Sequence, residues 1–181
     1  MQITETALPG VLLFTPKIFS DTRGAFFETY NEREMREAGL PTEWRQDNFS
    51  ISAKNVVRGL HYQIIQPQGK LVRVAYGKVI DVAVDLRRGS PSFGKHIAVE
   101  LSGENGLALW IPAGFGHGFA VLSEKAGFSY KVTDYYSPIG ERTVLWNDPA
   151  LGIEWGITAE NAIVSAKDQQ GKLLEDAEVF P

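Results

Sequence analysis

Cysteine is absent from the 181-residue sequence, and its absence removes several classes of chemistry. Without thiol groups the chain can form no disulfide bond, use no cysteine nucleophile and build no thiolate metal site. The N-terminus MQITETALPG also lacks a basic region followed by an apolar run, which is the pattern of a secretory leader. No stretch approaches the ~20 apolar residues of a membrane-spanning helix. We therefore expect a cytoplasmic protein that does not enter a membrane.

A strong charge of either sign is missing as well. Lys and Arg number 18 and Asp and Glu number 22, which gives a formal net charge of −4 without a long run of one sign. Such a chain has no broad electric field that would attract nucleic acid or anionic lipid. Nucleic acid is therefore not an expected partner, and an anionic ligand must be held by local groups.

The sequence contains no internal repeat, low-complexity tract or linker that would divide it. Its 44% of hydrophobic residues and 22% of charged residues are ordinary for a globular protein. A chain of this length can also bury a sizeable core. We expect residues 1–181 to form a single domain.

Short β-rich runs dominate the sequence after residue 70. LVRVAYG, VIDVAVDL, HIAVELS, LALWIPA and FSYKVTDYY follow one another, separated by Gly, Pro, Ser or Asn. In VIDVAVDL one face carries Ile80, Val82, Val84 and Leu86, and the other carries Asp81, Ala83 and Asp85. Many short strands favour a closed or double-sheet arrangement, which removes exposed strand edges. The sequence predicts an all-β jelly roll with short peripheral helices.

One early segment, NEREMREAGL, has the pattern of a helix. Asn31 can cap its N-terminus, Glu34 stands at the capping-box position, and Gly39 can end it. The last thirty or so residues predict loops with a short helix at most.

Two segments, GLHYQ at 59–63 and GLALWIPAGFGH at 106–117, resemble the two motifs of the cupin superfamily. In metal-binding cupins the first motif supplies His-x-His and a later Glu, and the second supplies another His. Here Gln63 stands at the second His position, and Lys70 lies near the Glu position. Two histidines and a lysine do not make a credible Zn or Fe site. We therefore expect no bound metal and a barrel mouth that serves other chemistry.

Of the three histidines, His61 has the most unusual surroundings. His96 is interpreted as an ordinary packed strand residue. Arg58, Gln63 and Lys70 lie close to His61 in sequence, and such a polar set in a strand-rich stretch is costly to bury without a ligand. An imidazole without a metal is a natural general base near neutral pH. We interpret His61 as functional.

Strand parity makes a further prediction about this segment. His61 and Gln63 fall on one face of a regular strand, and Arg58 falls on the opposite face. We predict a bulge or twist at Gly59 that brings Arg58 round to the His61 side.

Six motifs in order then identify a family. They are DTRGAFFE at 21–28, QDNFS at 46–50, RGLHYQ at 58–63, PAGFGHGF at 112–119, YK at 130–131 and SAKD at 165–168. Together they resemble the dTDP-4-dehydrorhamnose 3,5-epimerases over nearly the whole chain. The sequence departs from common family residues at Gly116, at 141–143 and at 155–156. These departures bear on the substrate more than on the chemistry.

The resemblance implies conversion of dTDP-4-dehydro-6-deoxy-D-glucose to dTDP-4-dehydro-L-rhamnose, a step of L-rhamnose biosynthesis, without a cofactor. The C4 ketone acidifies the hydrogens on C3 and C5, so one base and one acid can invert each centre in turn. By resemblance, His61 is the base and Asp168 binds its other nitrogen. Lys70 would face the C4 oxygen and neutralise the enolate. Tyr130 would return a proton to the opposite face of the sugar.

The resemblance also implies a set of ligand contacts to the nucleotide sugar. They are Arg23, Phe26, Glu28, Gln46, Asp47, Asn48, Arg58, His117, Glu141 and Lys167. Arginine suits the diphosphate because its guanidinium is planar and always charged, and a phenylalanine ring can stack on a base. Members of the family are typically homodimers in which N-terminal residues reach the partner's site, so we expect a homodimer.

Several alternatives remain open at this point. Tyr136 competes with Tyr130 for the role of acid, and Asp81 competes with Asp168 as the partner of His61. A metal-dependent cupin enzyme and a non-catalytic sugar-nucleotide binding module are rival functions. Single epimerases acting at C3 or C5 alone share the histidine, and residue types do not separate them.

Overall fold

The computed structural model describes residues 1–181, and most of its regular structure is β-strand. The strands are β1 (Gln2–Glu5), β2 (Leu12–Thr15), β3 (Phe19–Asp21), β4 (Gly24–Phe26), β5 (Gln46–Ala53), β6 (Val56–Gln63), β7 (Lys70–Tyr76), β8 (Lys78–Asp85), β9 (His96–Ser102), β10 (Ala108–Ile111), β11 (Phe115–Val121), β12 (Lys125–Val132), β13 (Glu141–Thr143) and β14 (Ile163–Val164). The helices are α1 (Glu32–Glu37), α2 (Ala166–Gln169) and one 3₁₀ turn (Leu174–Asp176). The β-rich runs after residue 70 are confirmed as strands.

Two sheets form a cupin-type jelly roll, as the sequence predicts. The first sheet has the strand order β1-β2-β10-β7-β12-β5, and the second has the order β13-β6-β11-β8-β9, with β14 added beside β6. Neighbouring strands are antiparallel except for β14, which runs parallel to β6. Strands β3 and β4 form a separate hairpin.

The main core lies between the two sheets. Val72 and Phe128 of the first sheet pack with Ala83 and Phe119 of the second in one buried cluster. The alternation in VIDVAVDL is confirmed, because Val82 and Val84 belong instead to a cluster on the other face of the second sheet.

The C-terminal segment covers this other face of the second sheet. Trp146 and Trp155 pack there with Leu86, and the indole Nε1 of Trp155 donates to the Trp146 carbonyl. The predicted loops and short helix of this region are confirmed. Because the segment is anchored by buried tryptophans, it can carry side chains to the ends of the strands beneath it.

Helix α1 is short and capped as predicted at its N-terminus. The Asn31 side chain accepts hydrogen bonds from the backbone N–H groups of Arg33 and Glu34, and Gly39 follows the helix with φ +71°. The second hydrogen bond of the predicted capping box, from the Asn31 N–H to the Glu34 side chain, does not form. The Glu34 carboxylate accepts from the Met1 amino group instead. Met35 packs the helix against the outer face of the first sheet.

The bulge predicted at Gly59 is confirmed. The register of β6 against β11 shifts there: His61 pairs with His117 and Arg58 pairs with Phe119, so two residues of β6 face one of β11. A Cβ atom on Gly59 would lie 2.5 Å from the Gly118 Cα, and the backbone has φ +125°, so only glycine fits. The extra residue returns Arg58 to the inner face.

Strand β5 reverses the usual distribution of side chains. Ser50 and Ser52 lie on its more buried face, while Phe49 and Ile51 are 56% and 61% exposed on the other. The hairpin of β3 and β4 is similar, with Phe19 55% exposed and Phe26 72% exposed. Exposed apolar side chains of this size are expected at a protein–protein contact. None of the short helices could span a lipid bilayer.

Candidate active site

A cavity of about 280 Å³ lies between the sheets at one end of the jelly roll. It is lined by Asn48, Phe49 and Ser50 of β5, Arg58 and His61 of β6, Lys70 of β7, His117, Gly118 and Phe119 of β11, and Phe128 and Tyr130 of β12. Six of the residues singled out in the sequence therefore meet here. They come from both sheets, so a ligand in this pocket is contacted from two opposite sides.

Aromatic rings separate the pocket from the apolar core. The rings of Phe119 and Phe128 stack with centroids 4.1 Å apart, and the His117 imidazole stacks on Phe128 at 5.8 Å. Both phenylalanines belong to the core cluster and also line the pocket. The polar groups of the site therefore lie against a packed apolar layer, whose low dielectric constant strengthens their electrostatic interactions.

His61 is hydrogen-bonded to Asp168, with 2.6 Å between Nε2 and Oδ1. The Asp168 side chain is buried and also accepts from the Gly59 N–H through Oδ2. Burial raises the pKa of Asp168, but the hydrogen bond and charge of His61 and the bonds from Gly59 and Ser165 outweigh it, so the net pKa lies below its ordinary value. An ionised Asp168 fixes the ring proton on Nε2, which leaves Nδ1 as the free nitrogen of His61.

The position of Asp168 follows from local structure near the C-terminus. Strand β14 pairs with Val56 and Val57 at the start of β6. Ser165 then caps helix α2 by accepting a hydrogen bond from the Asp168 N–H at 3.1 Å. The cap turns the Asp168 side chain back toward β6. Of the two aspartates considered from sequence, Asp168 is the one that contacts His61.

Lys70 lies inside the pocket beside His61. Its Nζ donates to the His61 carbonyl oxygen at 3.3 Å, and its side chain is buried. Burial lowers the pKa of Lys70 to about 8, although the charges of Asp81 and Glu141 oppose this shift. The ammonium form therefore predominates at neutral pH, with two of its three N–H groups available to a ligand.

Tyr130 lines the pocket from the opposite sheet. It pairs with Asn48 in β5 and Val72 in β7, and its ring packs against Phe128 at 6.1 Å. Burial raises the pKa of Tyr130, and the nearby charge of Arg58 partly offsets this effect. The phenol is therefore protonated at neutral pH and can donate a proton.

Tyr136, the alternative acid, lies elsewhere. It is half exposed, and its hydroxyl donates to the Glu141 carboxylate at 2.7 Å. It does not line the pocket that contains His61.

His117 and Asp81 form a second histidine–aspartate pair. The distance between His117 Nε2 and Asp81 Oδ1 is 2.8 Å, and both side chains are buried. Burial lowers the pKa of His117, and the Asp81 charge acts in the opposite direction. Asp81 therefore contacts His117 and not His61. No group of three or more His, Asp or Glu side chains that could hold a metal ion is present.

Arg58 and Asn48 provide further polar groups at the pocket. The Arg58 guanidinium donates through Nε to the Ser52 hydroxyl at 3.1 Å. The Asn48 amide oxygen accepts from the Gln46 side chain at 2.7 Å. These contacts fix the side chains while the outer guanidinium nitrogens of Arg58 stay free for a ligand.

Glu141 and Lys167 form an ion pair of 2.5 Å next to the pocket. They line a neighbouring cavity of about 300 Å³ together with Tyr62 of β6 and with residues of the C-terminal segment, among them Arg142 and Thr143. Burial raises the pKa of Glu141, but the hydrogen bonds of Lys167 and Tyr136 lower it more, so the net pKa is below its ordinary value. The pair stands beside the pocket and does not line it.

Three residues singled out in the sequence lie away from the pocket of their own chain. Arg23 and Phe26 belong to the exposed β3–β4 hairpin, and Arg23 pairs with Asp21. Glu28 follows the hairpin and accepts from the Asn31 side chain at 3.1 Å. The hairpin packs on neither sheet through a buried cluster, so these residues project from the domain.

Gln46 and Asp47 lie near the pocket without lining it. The Gln46 side chain accepts from the Tyr136 N–H, and Asp47 pairs with Lys131 at 2.9 Å. Gln63, which occupies a ligand position of metal-binding cupins, has a structural role. Its amide donates to the carbonyls of Gln66 and Tyr135, so it ties two loops together.

Some pocket residues were missed in the sequence. Ser50, Phe119 and Phe128 line it, and Ser52 orients Arg58. The signal that could have found the two serines is the alternation of QDNFSISA, in which every second residue is polar and faces inward. Nothing in the local sequence distinguishes Phe119 and Phe128 from ordinary core residues.

Comparison with known proteins gives a consistent result. The sequence model described as dTDP-4-dehydrorhamnose 3,5-epimerase matches residues 5–176 of this chain. The dTDP-4-dehydrorhamnose 3,5-epimerase of Pseudomonas aeruginosa PAO1 is 56% identical over 182 residues, and the alignment covers 100% of both chains.

Solved structures agree. A dTDP-6-deoxy-D-glucose-3,5-epimerase of Legionella pneumophila, in complex with dTDP-4-keto-L-rhamnose, has a TM-score of 0.93 and 48% identity, covering 98% of this chain and 94% of that chain. The dTDP-4-dehydrorhamnose 3,5-epimerase of Elizabethkingia anophelis has a TM-score of 0.92 and 45% identity, covering 97% of each chain. The chain therefore belongs to the dTDP-4-dehydrorhamnose 3,5-epimerase family.

Proposed function

We propose that this protein converts dTDP-4-dehydro-6-deoxy-D-glucose to dTDP-4-dehydro-L-rhamnose by inverting C3 and C5. The proposal is carried by one observation: His61, which is hydrogen-bonded to Asp168, and Tyr130 line the same pocket from opposite sheets, beside the Lys70 ammonium. A base and an acid on opposite sides of a sugar ring are what an inversion requires. A base that returned the proton to the same face would restore the starting sugar.

The first step is removal of a proton from the carbon next to the C4 ketone. His61 accepts this proton on Nδ1, because Nε2 is already bound to Asp168. The Asp168 carboxylate stabilises the imidazolium that forms, as the aspartate of a catalytic triad does. The electron pair of the broken C–H bond moves into the C3–C4 or C4–C5 bond, and the negative charge develops on the C4 oxygen.

Lys70 stabilises this enolate. A preorganised cation in a water-poor site stabilises developing charge strongly, because little reorganisation accompanies the reaction. Tyr130 then gives its proton to the opposite face of the carbon and becomes a phenolate. His61 and Tyr130 return to their starting states by proton exchange with water, and the cycle repeats at the second carbon. The ketone is present in the substrate, so the sequence of steps uses neither a redox cofactor nor a metal.

The nucleotide part of the substrate needs cationic and planar groups. Arg58 and Asn48 are available in the pocket, and His117 supplies a further polar contact. Gln46, Asp47, Glu141 and Lys167 stand at its margins and support these contacts or extend them toward the diphosphate. A sugar nucleotide held by such local groups is compatible with a chain whose net charge is only −4.

The functional unit that we propose is a homodimer. Arg23, Phe26 and Glu28 are exposed and do not line the pocket of their own chain, and Phe49 is exposed on the outer face of β5. In a dimer that covers this face, the hairpin of one subunit would bring its arginine and phenylalanine to the partner's nucleotide site. We also propose a cytoplasmic location. Nucleotide sugars are made from nucleoside triphosphates, which are cytoplasmic metabolites.

The direct test is conversion of the substrate by purified protein. dTDP-4-dehydro-6-deoxy-D-glucose is incubated with the enzyme, and ring-proton couplings are followed by NMR to detect inversion at both centres. The matched control is His61→Asn, which keeps a polar side chain of similar size but cannot act as a base. Turnover to a doubly inverted product by the wild type and not by the variant supports the proposal. Inversion at one centre only would identify a single epimerase.

A further inference from the structure

Asp81 is a fully buried carboxylate that the proposed mechanism does not use. It lies in β8 with 0% exposure, and its Oδ1 is bound to His117. Its Oδ2 is buried and has no hydrogen-bond partner. An ionised carboxylate in such a place is destabilised unless a positive charge lies nearby.

Lys70 lies next to this pair. Its Nζ donates to the carbonyl oxygen of His61, which pairs across β6 and β11 with His117, the residue bound to Asp81, and Lys70 and His117 line the same pocket. Burial raises the pKa of Asp81, while the charge and hydrogen bond of His117 and the charge of Lys70 lower it, and the Asp81 charge in turn favours the protonated form of Lys70. Lys70 has only one hydrogen bond of its own, to the His61 carbonyl oxygen. The ammonium is therefore held in the site by this bond and by the field of its surroundings.

We propose that Asp81 is a positioning residue, the internal counter-ion that keeps Lys70 as an ammonium at the pocket while its hydrogen bond orients His117. The catalytic value of this arrangement rests on the proposed function, in which Lys70 neutralises the enolate. Its physical content does not, because the protonation state of Lys70 can be measured without turnover.

The titratable groups that face Lys70 come from several strands. Glu141 of β13 also favours the charged form of Lys70, but Glu141 is partly exposed and already paired with Lys167, so solvent and this pair reduce its influence. His117 and His61 bring no negative charge. Asp81 is bound to His117, but burial lowers the pKa of His117, so this imidazole is neutral near pH 7 and does not cancel the Asp81 charge. Asp81 is thus the fully buried counter-charge of Lys70.

Removal of the Asp81 charge has a defined consequence. Burial already lowers the pKa of Lys70 to about 8. Without its counter-ion the pKa falls further, by about one unit or more, because a nearby opposite charge in a buried site has effects of this size. Asp81→Asn removes the charge and keeps an oxygen that can accept from His117. Lys70 would then lose its proton near neutral pH.

The test is an NMR titration of the Lys70 side chain in protein labelled with ¹⁵N-lysine. The Nζ signal is assigned with Lys70→Met and followed with pH in the wild type, in Asp81→Asn and in Glu141→Gln as the matched control. We expect a decrease of about one pH unit or more in Asp81→Asn and a smaller decrease in Glu141→Gln. Equal Lys70 pKa values in the wild type and Asp81→Asn would overturn the proposal.

The activity of the same variants supplies a second reading. If the proposal holds, the alkaline decline of kcat/KM moves to lower pH in Asp81→Asn in parallel with Lys70, so the loss is small at pH 6 and grows as the pH rises. A loss of the same factor at every pH would indicate a merely structural role and overturn the proposal. If no variant and no wild-type protein turns the substrate over, the proposed function fails, and the titration still decides the role of Asp81.

A measurement on the wild type tests the proposal even if the Asp81→Asn variant does not fold. The ¹³Cγ signal of Asp81 reports whether its carboxyl group is ionised. We expect ionised Asp81 at pH 7 and a second change in this signal as Lys70 loses its proton. Protonated Asp81 at pH 7 would overturn the proposal without any substitution.

Discussion

Asp168 binds His61 through a 2.6 Å hydrogen bond, although 107 positions separate them in the sequence. The contact exists because β14 adds to the start of β6 and because Ser165 caps the short helix that carries Asp168. It fixes the tautomer of His61 and leaves Nδ1 free, the nitrogen that we propose accepts the proton. The chemistry of the pocket therefore depends on the C-terminal segment as well as on the jelly roll.

We predict that Asp168→Asn lowers kcat about 10²- to 10⁴-fold, the range seen for loss of a general base or of its orienting carboxylate. The amide can still contact His61, but it no longer stabilises the imidazolium. Binding of dTDP, measured by calorimetry, should stay close to that of the wild type, because Asp168 does not line the pocket. A variant with wild-type kcat would show that Asp168 is not needed to activate His61.

The pKa of Lys70 predicts how kcat/KM declines at alkaline pH. Its pKa is about 8 in the folded protein, so the ammonium is lost as the pH rises through this value. Because only the charged form can neutralise the enolate, kcat/KM should fall above about pH 8. Lys70→Met should lower kcat by about 10²- to 10³-fold, as loss of one electrostatic group does. If the residual kcat/KM of Lys70→Met still declines at the same alkaline pH, the decline belongs to another group.

Tyr130 is predicted to deliver the proton, since burial raises the pKa of its phenol and keeps it protonated. Tyr130→Phe keeps the ring that packs on Phe128 and removes only the hydroxyl. We expect turnover to fall about 10²- to 10⁴-fold while proton removal by His61 continues. Tyr136→Phe is the matched control, because this residue stands outside the pocket. A larger loss in the control than in Tyr130→Phe would make Tyr136 the acid.

Subunit mixing tests whether the hairpin serves the partner's site. His61→Asn and Arg23→Ala homodimers should each have low activity at limiting substrate. If Arg23 acts across the dimer, half of a randomly mixed population is heterodimeric, and each heterodimer has one intact site, so about a quarter of wild-type activity returns. If Arg23 acts within its own chain, every mixed dimer has two defective sites, and mixing restores nothing.

The sequence predicted much of the fold from local patterns. The alternation of VIDVAVDL placed Val82 and Val84 on one face, and the polar residues around Gly59 predicted the bulge that turns Arg58 inward. Both depend on the two-residue period of a strand, which a sequence displays directly.

The partners of the two histidines were not accessible in this way. Asp168 was predicted as the partner of His61 only from the family resemblance, and Asp81 stayed open as the alternative, because the contacts of both depend on tertiary structure. Gln63 looked like part of the site, but its amide is used by neighbouring loops. The role proposed for Arg23 lies in another subunit, which no local pattern can indicate, so only the family resemblance suggested it.

The measurement closest to the central claim is hydrogen exchange at the sugar during turnover in deuterated water, read by NMR at C3 and C5. Because His61 takes a proton from carbon and Tyr130 returns one that has exchanged with solvent, we predict deuterium at both positions of the product. His61→Asn should give none. Inverted product without deuterium at C3 and C5 would contradict proton transfer through these two side chains.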